Sequence, residues 1–129
     1  MKRFSLPVLA AVLLLVAVPA AADAKIRRIQ SPSGNIFCAY LKARGTPAQV
    51  RCEATFINDV AGIVKVRGRA RFKRVTDTIA DPQAPVLRYG KKKRWGKFRC
   101  SSSRRGGLRC KSRKSGHGIF LSREHQGTF

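Results

Sequence analysis

No stretch of this sequence has the periodicity of an amphipathic helix, no two cysteines stand in C-x-x-C spacing, and no glycine-rich phosphate loop is present. Acidic residues are also scarce, six Asp or Glu against 28 Lys or Arg. Each absence removes a class. Without helical periodicity the chain is not a bundle or an α/β fold. The four cysteines are widely spaced and the two histidines lie elsewhere, so a zinc site is not expected. No metal or cofactor motif is present, and Ser122 lacks the elbow motif of a serine nucleophile. With so few carboxylates the charge repels itself, and the compact state loses stability unless salt, an anionic partner or covalent clamps offset it.

The first 24 residues read as a secretory leader. Lys2 and Arg3 form a positive start, Leu6 to Val18 an apolar run, and Ala20 to Ala24 a small-residue stretch with A-x-A sites before Asp23 and before Lys25. No cysteine follows to make a lipoprotein anchor, and the run is short for a membrane span and broken by Pro7 and Pro19. The expected mature chain, residues 25–129, is long enough for one domain with a modest core. It keeps 26 basic and 5 acidic residues, a net charge of +21 with both histidines neutral. Its expected location is outside the cytoplasm, secreted or in the cell envelope.

In an oxidising compartment Cys38, Cys52, Cys100 and Cys110 are expected to form disulfides. Of three connectivities the strand pattern favours one. Ile36 to Leu41 and Val50 to Glu53 flank the turn residues Arg44-Gly45-Thr46-Pro47, and Lys97 to Cys100 and Leu108 to Lys111 flank Ser101 to Gly107, where Gly106-Gly107 suits a tight turn. Two hairpins follow, with Cys38 opposite Cys52 and Cys100 opposite Cys110. In the loop-entropy model each short ring contributes about 3 kcal/mol.

The strongest strand signal runs from Val64 to Lys73. Period two sets Val64, Val66, Ala70 and Phe72 on one face and Lys65, Arg67, Arg69, Arg71 and Lys73 on the other. A continuous strand would space those five cations ~6.6 Å apart, a stripe of about 27 Å. The turn-rich stretch Thr76 to Pro85 comes next, then extended segments at Val86 to Tyr89 and Ile119 to Ser122. The expected fold is mainly β: a small antiparallel sandwich or partly closed barrel built from hairpins and held by two disulfides.

Ser31-Pro32-Ser33-Gly34-Asn35-Ile36 with Cys38, Val50-Arg51-Cys52-Glu53, Tyr89-Gly90, Gly116-His117-Gly118 and Leu121-Ser122-Arg123 resemble a bacterial family of small secreted, disulfide-bonded domains of unknown function. The likeness runs from Ser31 to Phe129 and is densest from Phe98 onward. It implies a secreted β domain and no particular activity. Members of that family commonly carry two further cysteines between the second and third of this chain, one just before the position of Asp77-Thr78. Both are missing here. Their joint loss implies that those two pair with each other, which leaves the pairing the hairpins suggest. Extreme basicity is not part of the resemblance.

Eighteen of the 26 cations fall in three segments, Lys65 to Arg74, Lys91 to Arg99 and Arg104 to Lys114. With Cys100 opposite Cys110, Arg99 faces Lys111 and Lys97 faces Arg113. Such like-charge pairs are destabilising unless an anion bridges them. Lys65, Arg67, Arg69, Arg71, Lys73, Lys97, Arg99, Arg109, Lys111 and Arg113 are therefore the candidate anion-binding residues. Trp95 is the candidate for stacking on bases or sugars, whereas Phe98, in phase with Cys100, belongs to the core. The expected partner is an anionic polymer or surface, such as extracellular nucleic acid, a cell-wall polyanion or acidic lipid, bound without catalysis. Two alternatives stand beside it. One is a small ribonuclease-like enzyme using His117 and His125, with Glu53 and Glu124 as carboxylates. The other is a structural domain whose charge is a solvated face.

Overall fold

The computed structural model describes residues 25–129, and the leader expected over residues 1–24 lies outside the described residues. Ten strands form two antiparallel five-stranded sheets. The first contains β1 (Lys25–Gln30), β2 (Ile36–Lys42), β3 (Gln49–Ala54), β4 (Val60–Lys65) and β5 (Arg71–Arg74). The second contains β6 (Lys92–Trp95), β7 (Phe98–Ser103), β8 (Gly107–Ser112), β9 (Gly118–Leu121) and β10 (Gln126–Thr128). Each sheet is a meander in which sequence neighbours are hydrogen-bonded neighbours. The sheets pack face to face, with β4 against β8 and β9, as the open sandwich that short alternating strands with turn signals imply.

Alternation decides which side chains meet between the layers. Ile36, Cys38, Val50, Cys52 and Val64 from the first sheet share one buried cluster with Trp95, Phe98, Cys100, Leu108, Cys110, Ile119 and Leu121 from the second. Cys38 pairs in register with Cys52 and is disulfide-bonded to it; Cys100 pairs with Cys110 in the same way. Both bridges therefore join adjacent strands of one hairpin, and both face the other layer. Disulfides of this kind are typical of extracytoplasmic proteins. In the second hairpin the turn is shorter than expected. β7 runs on to Ser103, and Gly107, at φ +66°, opens β8.

Part of the outer face of the first sheet is covered by a loop rather than by a third layer. Phe37, Ala39 and Ile79 pack together there. The loop is fastened by charge: Arg51 Nη1 donates to Asp77 Oδ1 at 3.0 Å, Arg51 Nη2 donates to the Asp77 carbonyl at 2.8 Å, and Ile79 N donates to Glu53 Oε2 at 2.7 Å. Further on, Gln30 N donates to Pro85 O and Leu87 N to Gln30 O, so residues 85–87 seat against the open edge of β1.

The uninterrupted strand from Val64 to Lys73 does not form. β4 stops at Lys65, residues 66–70 reverse the chain with Gly68 at φ +84°, and β5 returns antiparallel with Ile63 opposite Arg71 and Ala61 opposite Lys73. Gly68 breaks the pattern because its backbone conformation is one that residues with a Cβ rarely adopt. The 27 Å stripe is thus folded back on itself.

Candidate functional site

The folding-back disperses the first set of cations. Lys65, Arg71 and Lys73 point to the outer side of the first sheet, while Arg67 and Arg69 sit on the exposed turn. On β5 only Arg71 and Lys73 keep strand spacing, ~6.6 Å apart. The same sheet side carries Glu53 and the Asp77 loop, so its positive field is partly offset.

The second set behaves differently. Arg99 is opposite Lys111 as expected, and Arg113 N donates to Lys97 O at 2.7 Å, which brings that pair together just beyond the strand ends. β6 adds what the sequence reading missed, because it pairs with β7 so that Arg94 lies opposite Arg99 and Lys92 opposite Ser101. Arg94, Arg99 and Lys111 then form one row across three adjacent strands, with neighbouring strands ~4.8 Å apart. Lys92 and Arg109 flank Ser101 in the next row. All five point away from the core, since their strand neighbours Trp95, Cys100, Cys110 and Ser112 are buried. From Lys91 to Phe129 the chain has thirteen Lys or Arg and a single carboxylate, Glu124, which lies in the turn between β9 and β10.

The aromatic component is also relocated. Trp95 is 2% exposed, opposite Phe98 and 6.1 Å from the Tyr40 ring, so it cannot stack on a ligand at the surface. Its phase in β6 decides this: Lys92 and Arg94 turn outward, and Lys93 and Trp95 turn inward. On the outward face the aromatics are Phe120, opposite Arg109, and Phe129, whose ring lies 3.7 Å beneath the Arg109 guanidinium. That cation–π contact holds Arg109 flat on the sheet. A period-two reading of Lys92 to Trp95 in phase with Phe98 would have found both Arg94 and the inward Trp95.

The histidines do not meet. His117 precedes β9 and His125 lies in the turn after it, at opposite ends of a strand about 13 Å long. His117 Nδ1 is 3.2 Å from Phe129 O, and Ser112 N donates to the His117 carbonyl. Its flanking glycines have separate structural causes. Gly116 has φ +77°, and a Cβ on Gly118 would meet Phe129 Cζ at 2.5 Å and Lys111 Cβ at 2.8 Å. Glu53 is buried and accepts from Ile79 N, so it is spent on the loop. Among the described residues His117, His125 and Glu53 thus do not face one another as an acid and base pair.

The sulfur atoms of Cys38, Cys52 and Cys110 lie within 4.8 Å of one another, but all belong to disulfides, and a disulfide sulfur is not the thiolate that binds a metal. No curated protein and no solved structure matches the chain. Residues 43–129 match the model of a family of unknown function (DUF6636), a span that includes both strands of the cationic hairpin but starts downstream of Ser31 to Ile36 and of Cys38, and the chain belongs to that family.

Proposed function

We propose that this protein is a non-enzymatic, extracytoplasmic binding domain for an anionic polymer, and that the outer face of β6, β7 and β8 is its contact surface. The observation that carries the reading is the row Arg94, Arg99 and Lys111. Like charges directly across a ladder cost stability, and no carboxylate stands among these three to offset it. A bridging polyanion converts that cost into binding energy. A merely solvated surface has no need to align its cations on neighbouring strands. The two disulfides and the expected leader support a location outside the cytoplasm.

The surface is flat and its contacts are charges, so the reading favours phosphate or carboxylate polymers over base-specific recognition. If Lys92, Arg94, Arg99, Arg109 and Lys111 neutralise five duplex phosphates, the slope of log affinity against log salt is about −4.5, roughly a 500-fold loss between 50 and 200 mM salt. The test is a salt-resolved titration with duplex DNA, an anionic wall polymer and anionic lipid vesicles, repeated with Arg94→Gln, Arg99→Gln and Lys111→Gln combined. Three removed charges flatten the slope on DNA to about −1.8. Affinity that ignores salt, or a triple variant that binds like the parent, overturns the reading.

A further inference from the structure

One end of the sandwich holds a cleft of about 220 Å³ that segments far apart in the chain build together. The β1–β2 turn contributes Ser33 and Asn35, the segment before β6 Tyr89, the β7–β8 turn Arg104, and the β9–β10 turn Arg123. Gly107 explains why the last two turns meet. It has φ +66°, and a Cβ there would run into the Leu121 carbonyl and stand 2.9 Å from Ser122 Cα. Backbone therefore packs on backbone where β8 begins and β9 ends, which sets Arg104 and Arg123 at one cleft.

Its polar groups are unevenly matched. Among the described residues no carboxylate lines the cleft, and the ion pairs belong to Arg51, so neither guanidinium has an acidic partner. Arg104 instead lies 5.2 Å from the centroid of the Tyr89 ring, a contact that steadies the side chain without consuming its N–H donors. Asn35 Oδ1 accepts from Thr55 Oγ1 at 3.2 Å, so the amide has its NH2 group left to offer. Ser31 and Ser33 share one mutual hydrogen bond at 2.9 Å, and two hydroxyls hold two protons, so one donor of the pair is also spare. Ile36 and Phe56 supply an apolar wall that packs on the core. Donors and positive charge thus gather beside an apolar wall where acceptors of negative charge are missing.

We infer that this cleft binds an acidic sugar unit, a hydroxylated ring that carries one carboxylate or phosphate. The anionic group accepts from Arg104 and Arg123, ring hydroxyls accept from Asn35 and the serine pair, and the C–H face of the ring rests on Phe56 and Ile36. The cleft is smaller than the roughly 300 Å³ at which sites for drug-sized molecules begin, so it suits a single ring. It is independent of the proposed polymer surface, since it uses none of Lys92, Arg94, Arg99, Arg109 or Lys111, and either site can fail without the other.

The experiment titrates the folded, oxidised protein separately with glucuronate, glucose-6-phosphate, glucose and acetate, at one ionic strength set with sodium chloride, and follows the backbone amide resonances of Asn35, Arg104 and Arg123. Saturable shifts with glucuronate, with glucose-6-phosphate or with both are expected, at a dissociation constant of about 1 mM for so small a ligand, and the acid that responds identifies the preferred anionic group. Glucose lacks the charge and acetate lacks the ring, so each binds about tenfold more weakly or worse. Arg104→Gln and Arg123→Gln each weaken the response about tenfold. Asn35→Asp still accepts from Thr55 but puts a negative charge in place of the NH2 donor, and weakens it further. Lys42→Gln, at the far end of β2, removes the same charge as the arginine variants and leaves the response unchanged. No saturable shift with either acidic sugar, glucose or acetate binding as well as they do, or an unchanged response in the Arg104 and Arg123 variants overturns the assignment.

Discussion

Cys110 Sγ lies 3.7 Å from Cys52 Sγ, at van der Waals contact across the two layers, and it is equally close to Cys38 Sγ. The two disulfides therefore stack on each other in the middle of the sandwich. Each closes its own hairpin, and together they form one contact within the core shared by the sheets. Cys100 falls outside the group of three mutually close sulfurs. This asymmetry predicts different fates for two similar variants. Cys100→Ser leaves the Cys110 thiol beside both sulfurs of the other bridge, and exchange yields a mixture containing Cys38–Cys110 and Cys52–Cys110 isomers. Cys110→Ser leaves Cys100, more remote, and Cys38–Cys52 persists. Non-reducing peptide mapping separates these outcomes. Replacing both Cys100 and Cys110 by Ala costs about 3 kcal/mol in the loop-entropy model, read by denaturant unfolding.

The cation row predicts a stability gain from losing charge. Arg99 stands between Arg94 and Lys111, so Arg99→Thr removes two like-charge neighbours and puts a good strand former on an exposed position. At 10 mM salt the variant is expected to be more stable by about 0.5–1 kcal/mol, a rise of roughly 3–6 °C in melting temperature. At 500 mM salt, where the Debye length shrinks to about 4 Å, the difference largely vanishes. Thermal unfolding followed by circular dichroism at both salts checks this. A destabilised variant at low salt contradicts the claim that the row stores repulsion.

Much of this fold is legible in the sequence because the deciding signals are local. Both hairpins and both disulfides follow from paired apolar runs with turn residues between them, and Cys38 opposite Cys52 is a matter of counting back from the turn. What misled was also local. Alternation from Val64 to Lys73 continues through Gly68, so the pattern alone carries no mark of the reversal there. Trp95 looked polar in its surroundings because three of the four β6 residues are cations. Its burial follows from the hairpin register that sets it opposite Phe98, a signal period two carries only once β6 is read in phase with β7.

Gly62 predicts how close the layers must come. It lies on β4 between Cys52 and Phe72, and a Cβ there would sit 2.6 Å from Ile119 Cδ1 on the facing sheet and 3.1 Å from Phe72 Cε1. Ile119 is 1% exposed and belongs to the buried cluster between the layers, so its Cδ1 can make way only within the core. Gly62→Ala therefore overpacks the core and costs about 1–3 kcal/mol. Combining it with Ile119→Val, which removes the Cδ1 atom, restores part of the loss. Denaturant unfolding of the two singles and the double gives the coupling, and additive losses would mean that the layers do not meet at this point.

Asp77 predicts an acid-sensitive loop. Its carboxylate is held below the ordinary range, first by the hydrogen bond from Arg51 and then by the charge of that guanidinium. A lowered carboxylate adds stability that is present above its unfolded value, near 3.8, and is lost as pH falls through the lower folded value. Wild type should therefore lose more melting temperature than Asp77→Asn as pH drops from 5 to 2. The variant keeps the hydrogen bond from Arg51 Nη2 to the residue 77 carbonyl, so the loop stays seated while the titrating group is gone. Arg51 thus fastens the loop through a contact that protons can partly undo. Matching acid profiles for wild type and variant would show that the backbone contact alone holds the loop.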